Sequence, residues 1–139
     1  MPNEFSRRAA LAAVQATLAD AIAHDFRDAL PIARYVDALP GCAPRPGYCH
    51  DQVDLWLRSH PGDTPVRGWL NQADFLVAIR FVSHSLVRTA AGDLLDVTYA
   101  APSYPQHFIE HPVAAGDFFA LVRDEPPVPY IDVALPDRS

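Results

Sequence analysis

The strongest constraint on the fold is the order of the two hydrophobic periods: helical spacing fills the first sixty residues and alternation follows. Leu11, Val14, Leu18, Ile22 and Phe26 recur at steps of three and four, which predicts one amphipathic helix over residues 4–29. Pro31 interrupts it. Residues 32–39 read as a second short helix with Pro31 in its first turn, closed by Pro40-Gly41. The glycines and prolines of 41–47 form a loop. A further helix runs over 49–59, where Val53, Leu55, Trp56 and Leu57 give a broad apolar face before Pro61-Gly62-Asp63 stops it. Strands follow over 65–70, over 75–87 as one long strand or two, and over 94–99, with Ala90-Ala91-Gly92-Asp93 as a hairpin turn. Val82, His84 and Leu86 share one strand face. Residues 101–112 read as a proline-rich loop, 118–122 as a helical turn and 130–135 as a closing strand. Helices first and strands afterwards predict an α+β fold, with N-terminal helices packed on an antiparallel β-sheet. One domain spans 1–139: a helical part over 1–40, the site-bearing core over 47–99, and a proline-rich loop with closing segments over 100–139.

A chain of 139 residues can bury one sizeable core, and half its residues are apolar. The formal charge of −6, without any basic run, speaks against nucleic acid as a partner. Lysine is absent while alanine and proline abound, as in GC-rich bacterial genomes. No apolar stretch reaches the ~20 residues of a bilayer span, so no membrane partner is expected. Ser6-Arg7-Arg8 ahead of Ala9–Val14 has the look of an export signal. Gln15, Thr17 and Asp20 break the apolar run, however, and the segment reads as a core helix of a cytoplasmic protein. Cys42 and Cys49 are too few for a four-cysteine zinc site, and a stable disulfide is not expected in that compartment.

Cys49, His84 and Asp96 carry the chemistry. Cys49 opens a helix, where unpaired backbone N–H groups and the helix dipole favour a thiolate. His84 and Asp96 lie inside apolar strand-like runs joined by a hairpin. A buried polar group without a partner is costly, so each is the natural partner of the other. Cys49 is then nucleophile, His84 general base and acid, and Asp96 the group that orients the imidazole. Asp93 is a rival for the acid but falls in the turn. Zinc held by His50, His107 or His111 is disfavoured. Adjacent Cys49 and His50 diverge on a helix, and Pro102, Pro105 and Pro112 place the His107-x-x-x-His111 spacing in a loop. No metal or cofactor is expected. Residues 104–111 read as a flap near the cleft or as a surface loop, and His107 and Tyr48 are candidate substrate contacts. Trp56 and Trp69 read as core. Trp69 has a second reading, in which it lines the cleft or offers its indole N–H to an oxyanion.

Gly47-Tyr48-Cys49, Val66-Arg67-Gly68-Trp69-Leu70, Ser83-His84-Ser85-Leu86-Val87 and Asp96-Val97-Thr98 occur in a characteristic order. That order resembles the transglutaminase-like branch of the papain-like cysteine enzymes, over roughly residues 47–99. The resemblance implies a core helix packed on an antiparallel sheet, with Cys49, His84 and Asp96 as a triad. It implies a cysteine-dependent hydrolase or acyl transferase that cleaves an amide, isopeptide or thioester bond through a Cys49 thioester. Its partner would be a peptide, a protein or a small acyl substrate. Two features depart from the branch: His-Ser-Leu stands where His-Ala-Trp is common, and His50 follows the cysteine directly. A non-enzymatic binding or immunity-type module on the same fold would account for them. A zinc-dependent hydrolase is the third reading.

Overall fold

The computed structural model describes residues 4–45, 48–74, 77–104, 106–123 and 128–134. The chain is a mixed α+β structure. Helix α1 covers Glu4–Asp25 and ends in a 3₁₀ turn, Phe26–Asp28. Strands β1 (Leu30–Pro31) and β2 (Arg34–Tyr35) follow, then a 3₁₀ turn at Val36–Ala38. Helix α2 is Cys49–Ser59, strand β3 Thr64–Asp74, β4 Ile79–Arg88, β5 Leu94–Asp96 and β6 His107–Glu110. A 3₁₀ turn at Val113–Ala115, the short helix α3 (Phe118–Val122) and strand β7 (Tyr130–Val133) complete the described elements.

Seven strands form one sheet in the order β1-β6-β3-β4-β5-β2, and β7 joins beside β4. The β3–β4 pair is its spine, with Val66 opposite Leu86, Gly68 opposite His84 and Leu70 opposite Val82. Period two puts these six residues on one face. Val66, Leu70, Leu86 and Phe108 pack there as an apolar cluster. The other face carries Trp69, Phe81 and Val87. Trp69 and Phe81 join Leu18 and Ile22 of α1, whereas Val87 joins Val53 of α2. The α1 stripe is thus buried as its spacing predicts.

One edge of β4 is shared. β7 pairs with residues Ile79–Val82, and β5 with Val87 and Arg88. Between those two ladders the edge is forked, and Ser83 N–H donates to the Pro129 carbonyl on the β7 branch at 2.9 Å. A bulge at Asn71/Ala73 shifts the β3 register by one residue.

Three local expectations are corrected. Residues 32–39 are not a helix: Arg34 and Tyr35 pair in parallel with Leu95 and Asp96, so the sheet is not wholly antiparallel. The 101–112 loop contains β6, whose Phe108 and Ile109 are buried against β3. The strand expected over 94–99 stops at Asp96, because the Asp96 side chain turns the chain there by accepting from Thr98 N–H and Tyr99 N–H, each at 2.9 Å. Gly47, Phe75, Leu76 and Leu135 lie outside the described residues.

Gly68 is required by a close approach. A Cβ there would press on the Ile109 carbonyl oxygen and come within 2.7 Å of the Phe108 ring. Only glycine lets β6 lie this close, directly across β3 from His84.

Candidate active site

A cavity of about 510 Å³ opens at the fork of the β4 edge. Cys49 and His50 from the start of α2, His84 from β4, Asp96 from β5 and Pro129 ahead of β7 all reach it. The three residues expected to act together therefore do meet. Cys49 is 9% exposed, His84 2% and Asp96 0%.

Both carboxylate oxygens of Asp96 are engaged. Its Oδ1 accepts the two backbone N–H groups of its own turn, and its Oδ2 lies 2.9 Å from His84 Nε2. With Nε2 committed to the carboxylate, Nδ1 is the ring nitrogen left for the sulfur. The Tyr99 ring lies 5.3 Å from the imidazole and covers it. Burial works against a charge on His84, but the hydrogen bonds and charges of Asp96 and Cys49 outweigh it and raise its pKa to about 9. Burial likewise pushes the Cys49 thiol up. Hydrogen bonds and positive charge from His50 and His84 reverse this and lower it to about 6. These shifts favour a thiolate–imidazolium pair at neutral pH, and Cys49 stands in the first turn of α2, where backbone N–H groups lack intrahelical partners.

A second network reaches the thiol through His50. His50 Nδ1 lies 3.7 Å from Cys49 Sγ and makes a short contact with Ser85 Oγ. Arg67 donates one guanidinium N–H to Ser85 Oγ and another to Asp54 Oδ1, both at 2.8 Å. The sequence singled out none of Ser85, Arg67 and Asp54. The available signal was Arg67, a charged residue alternating onto the helix-covered face of β3 between Pro65 and Trp69.

The three expected substrate contacts are placed elsewhere. Tyr48 precedes α2 and is 55% exposed, with Arg45 over its ring at 5.5 Å, and it does not line the cavity. Trp69 is fully buried, and its indole N–H is spent on His111 Nδ1 at 2.9 Å, so it neither lines the cleft nor faces an oxyanion. His107 turns its ring to Phe26, while its neighbour Gln106 lines the cavity with Asn71, Gln72 and Tyr104. No group of three or more His, Cys, Asp or Glu side chains is placed to hold a metal ion among the described residues. Nor is any helix there long and apolar enough to cross a membrane. Comparison with known protein families, curated proteins and solved structures returned no match to this chain.

Proposed function

We propose that the protein is a cysteine-dependent hydrolase or acyl transferase of transglutaminase-like arrangement, acting on an amide, isopeptide or thioester carbonyl. The observation that carries this reading is the meeting of a helix-start thiol with a buried imidazole whose far nitrogen is held by a buried carboxylate. Perturbed groups gathered at a cavity mark functional sites.

The Cys49 thiolate attacks the carbonyl carbon, and the carbonyl π electrons move to oxygen. Backbone N–H groups of the first turn of α2 stabilise that oxyanion. As it collapses, the bond to the leaving group breaks and His84 gives its Nδ1 proton to the departing atom. The acyl group is left on sulfur as a thioester. Water then loses a proton to His84 and attacks the thioester, and the C–S bond breaks to return the thiolate. An amine in place of water gives transfer instead of hydrolysis. Asp96 remains ionised throughout and fixes the ring.

An electrophilic acyl probe, followed by intact-mass and peptide mass spectrometry, tests the reading. One acyl group on Cys49 that turns over in wild type and is absent from Cys49→Ala is the expected result. A Cys49 with the slow, alkaline reactivity of an ordinary thiol refutes it, and leaves the cavity to a binding module.

A further inference from the structure

We propose that His50 is a second catalytic histidine, which donates a hydrogen bond from Nδ1 to the Cys49 sulfur while Ser85 and Arg67 hold its ring in place. The inference rests on the cysteine-enzyme reading and deepens it.

Adjacent helical side chains normally diverge, so a histidine directly after the nucleophile has no inherent reason to touch it. Here it does, with Nδ1 3.7 Å from Sγ. The ring is fixed by contacts from two other elements, and a third acts on it through Ser85. Ser85 Oγ on β4 meets Nδ1, and Arg67 on β3 donates to that same oxygen at 2.8 Å while its other arm is tied to Asp54 of α2. Phe118 and Phe119 of α3 meet the imidazole edge-on at 5.7 and 5.3 Å. Arg67 lies over the Phe119 ring at 4.9 Å, so the same residues that seat the guanidinium also wall the imidazole.

Proton bookkeeping assigns the direction. A guanidinium only donates, so Arg67 occupies one lone pair of Ser85 Oγ. A hydroxyl can donate or accept, whereas a thiolate only accepts; the Nδ1 that faces Cys49 Sγ therefore carries the proton, and the second lone pair of Ser85 Oγ shares that N–H. Ser85 thus serves as an acceptor anchored by a cation, and the thiolate lies between two donors, His84 on the Asp96 side and His50 on the Ser85 side. Arg67, Ser85 and Asp54 act through His50 and are positioning residues.

The arrangement has a kinetic meaning. Sulfur is the leaving group when the thioester breaks, and a less basic sulfur leaves faster. A second donor at the sulfur therefore speeds breakdown of the acyl-enzyme more than its formation. No covalent bond to His50 forms at any step, and its proton stays on nitrogen.

Iodoacetamide alkylation of Cys49 across the pH range, read by peptide mass spectrometry so that Cys42 is scored separately, tests this without any substrate. His50→Phe, which keeps a ring among Phe118 and Phe119, is expected to raise the midpoint by about one pH unit or more. His50→Asn, whose amide nitrogen falls near the place of Nδ1, should restore part of that shift. Ser85→Ala should raise the midpoint by less than His50→Phe. With the acyl probe, His50→Phe should accumulate more thioester than wild type. A folded His50→Phe with the wild-type midpoint overturns the proposal. Should His50→Phe fail to fold, an unshifted midpoint in both His50→Asn and Ser85→Ala overturns it equally. The two readings fail separately. An ordinary thiol midpoint in wild type defeats the cysteine-enzyme reading. A low wild-type midpoint that rises in His84→Ala but not in His50→Phe defeats the His50 role alone.

Discussion

Replacing Asp96 with asparagine tests the charge logic of the site with one atom. Asparagine keeps an oxygen for Thr98 N–H and Tyr99 N–H, so the turn survives. It sets an NH₂ group against His84 Nε2 where a carboxylate oxygen stood at 2.9 Å. Nε2 must then accept, and an imidazolium there would face another donor. In the wild type, burial lowers the His84 pKa, yet Asp96 and Cys49 carry it from 6.5 to about 9. That net rise is worth about 3 kcal/mol at about 1.4 kcal/mol per unit. At pH 7 a group of pKa 9 is ~99% protonated, and one of pKa 6.5 only ~24%. Without the carboxylate, Cys49 alone opposes the effect of burial, so the His84 pKa falls and the thiolate's counter-ion is weakened. Linkage gives the sign. A raised folded pKa stabilises fully below 6.5, and that stability is lost as pH rises through about 9. Cys49 has the opposite sign: its folded pKa of about 6 lies below the 9.0 of an ordinary thiol, so its contribution grows over the same window. The two nearly cancel, and wild-type stability should change little between neutral and strongly alkaline pH. Titration of the His84 ring protons by NMR, paired with urea unfolding at neutral and alkaline pH, measures both quantities. A wild-type His84 that titrates at or below 6.5, or a titration that Asp96→Asn leaves unmoved, refutes the reasoning.

Turnover by wild type should rise through about pH 6 as Cys49 ionises and fall through about pH 9 as His84 loses its proton, whereas Cys49 alkylation in concentrated urea should return to the ordinary thiol midpoint near 9. Gly68→Ala should destabilise by about 1–3 kcal/mol in urea titration, because β6 has to move off β3 to admit the methyl group; an unchanged midpoint would show that the strands part without cost. His111 accepts from the Trp69 indole at Nδ1 and donates from Nε2 to the Gly116 carbonyl at 2.8 Å, so only its neutral form fits. Burial lowers its pKa, and the stability it confers is present above the unfolded value of 6.5 and lost as pH falls through the folded one. Wild type should thus weaken in mild acid more than His111→Phe, as followed by tryptophan fluorescence during urea unfolding.

The long periodic segments were readable from sequence alone: α1 from its stripe of Leu11 to Phe26, α2 from its apolar face, and β4 from the alternation of Val82, His84 and Leu86. Local pattern decides such elements, because each contains several repeats of its own period. Residues 30–35 were misread because strands of two residues carry no period. What makes Leu30–Pro31 and Arg34–Tyr35 extended is their pairing with Phe108–His107 and Leu95–Asp96, contacts made across the fold. β6 was hidden for a related reason, since four residues between Pro105 and Pro112 look like loop until Phe108 and Ile109 find their pocket. The meeting of His84 and Asp96 was legible because these polar residues stood out inside apolar runs. The Asp54–Arg67–Ser85–His50 network was not, as its members are separated by 13, 18 and 35 positions along the chain. Trp69 was the ambiguous case, and the structure resolves it toward the core by giving its indole to His111.

The forked edge of β4 also sets an order of assembly. β4 and β5 are joined by a turn of five residues, so the imidazole and carboxylate find one another by a short excursion of the chain. β7 must come back from more than forty residues downstream to dock on the same strand. Short loops close before long ones, so the charged pair is in place before the wall carrying Pro129 arrives. The imidazole and carboxylate thus belong to a local hairpin, whereas the wall beside them depends on a distant return of the chain.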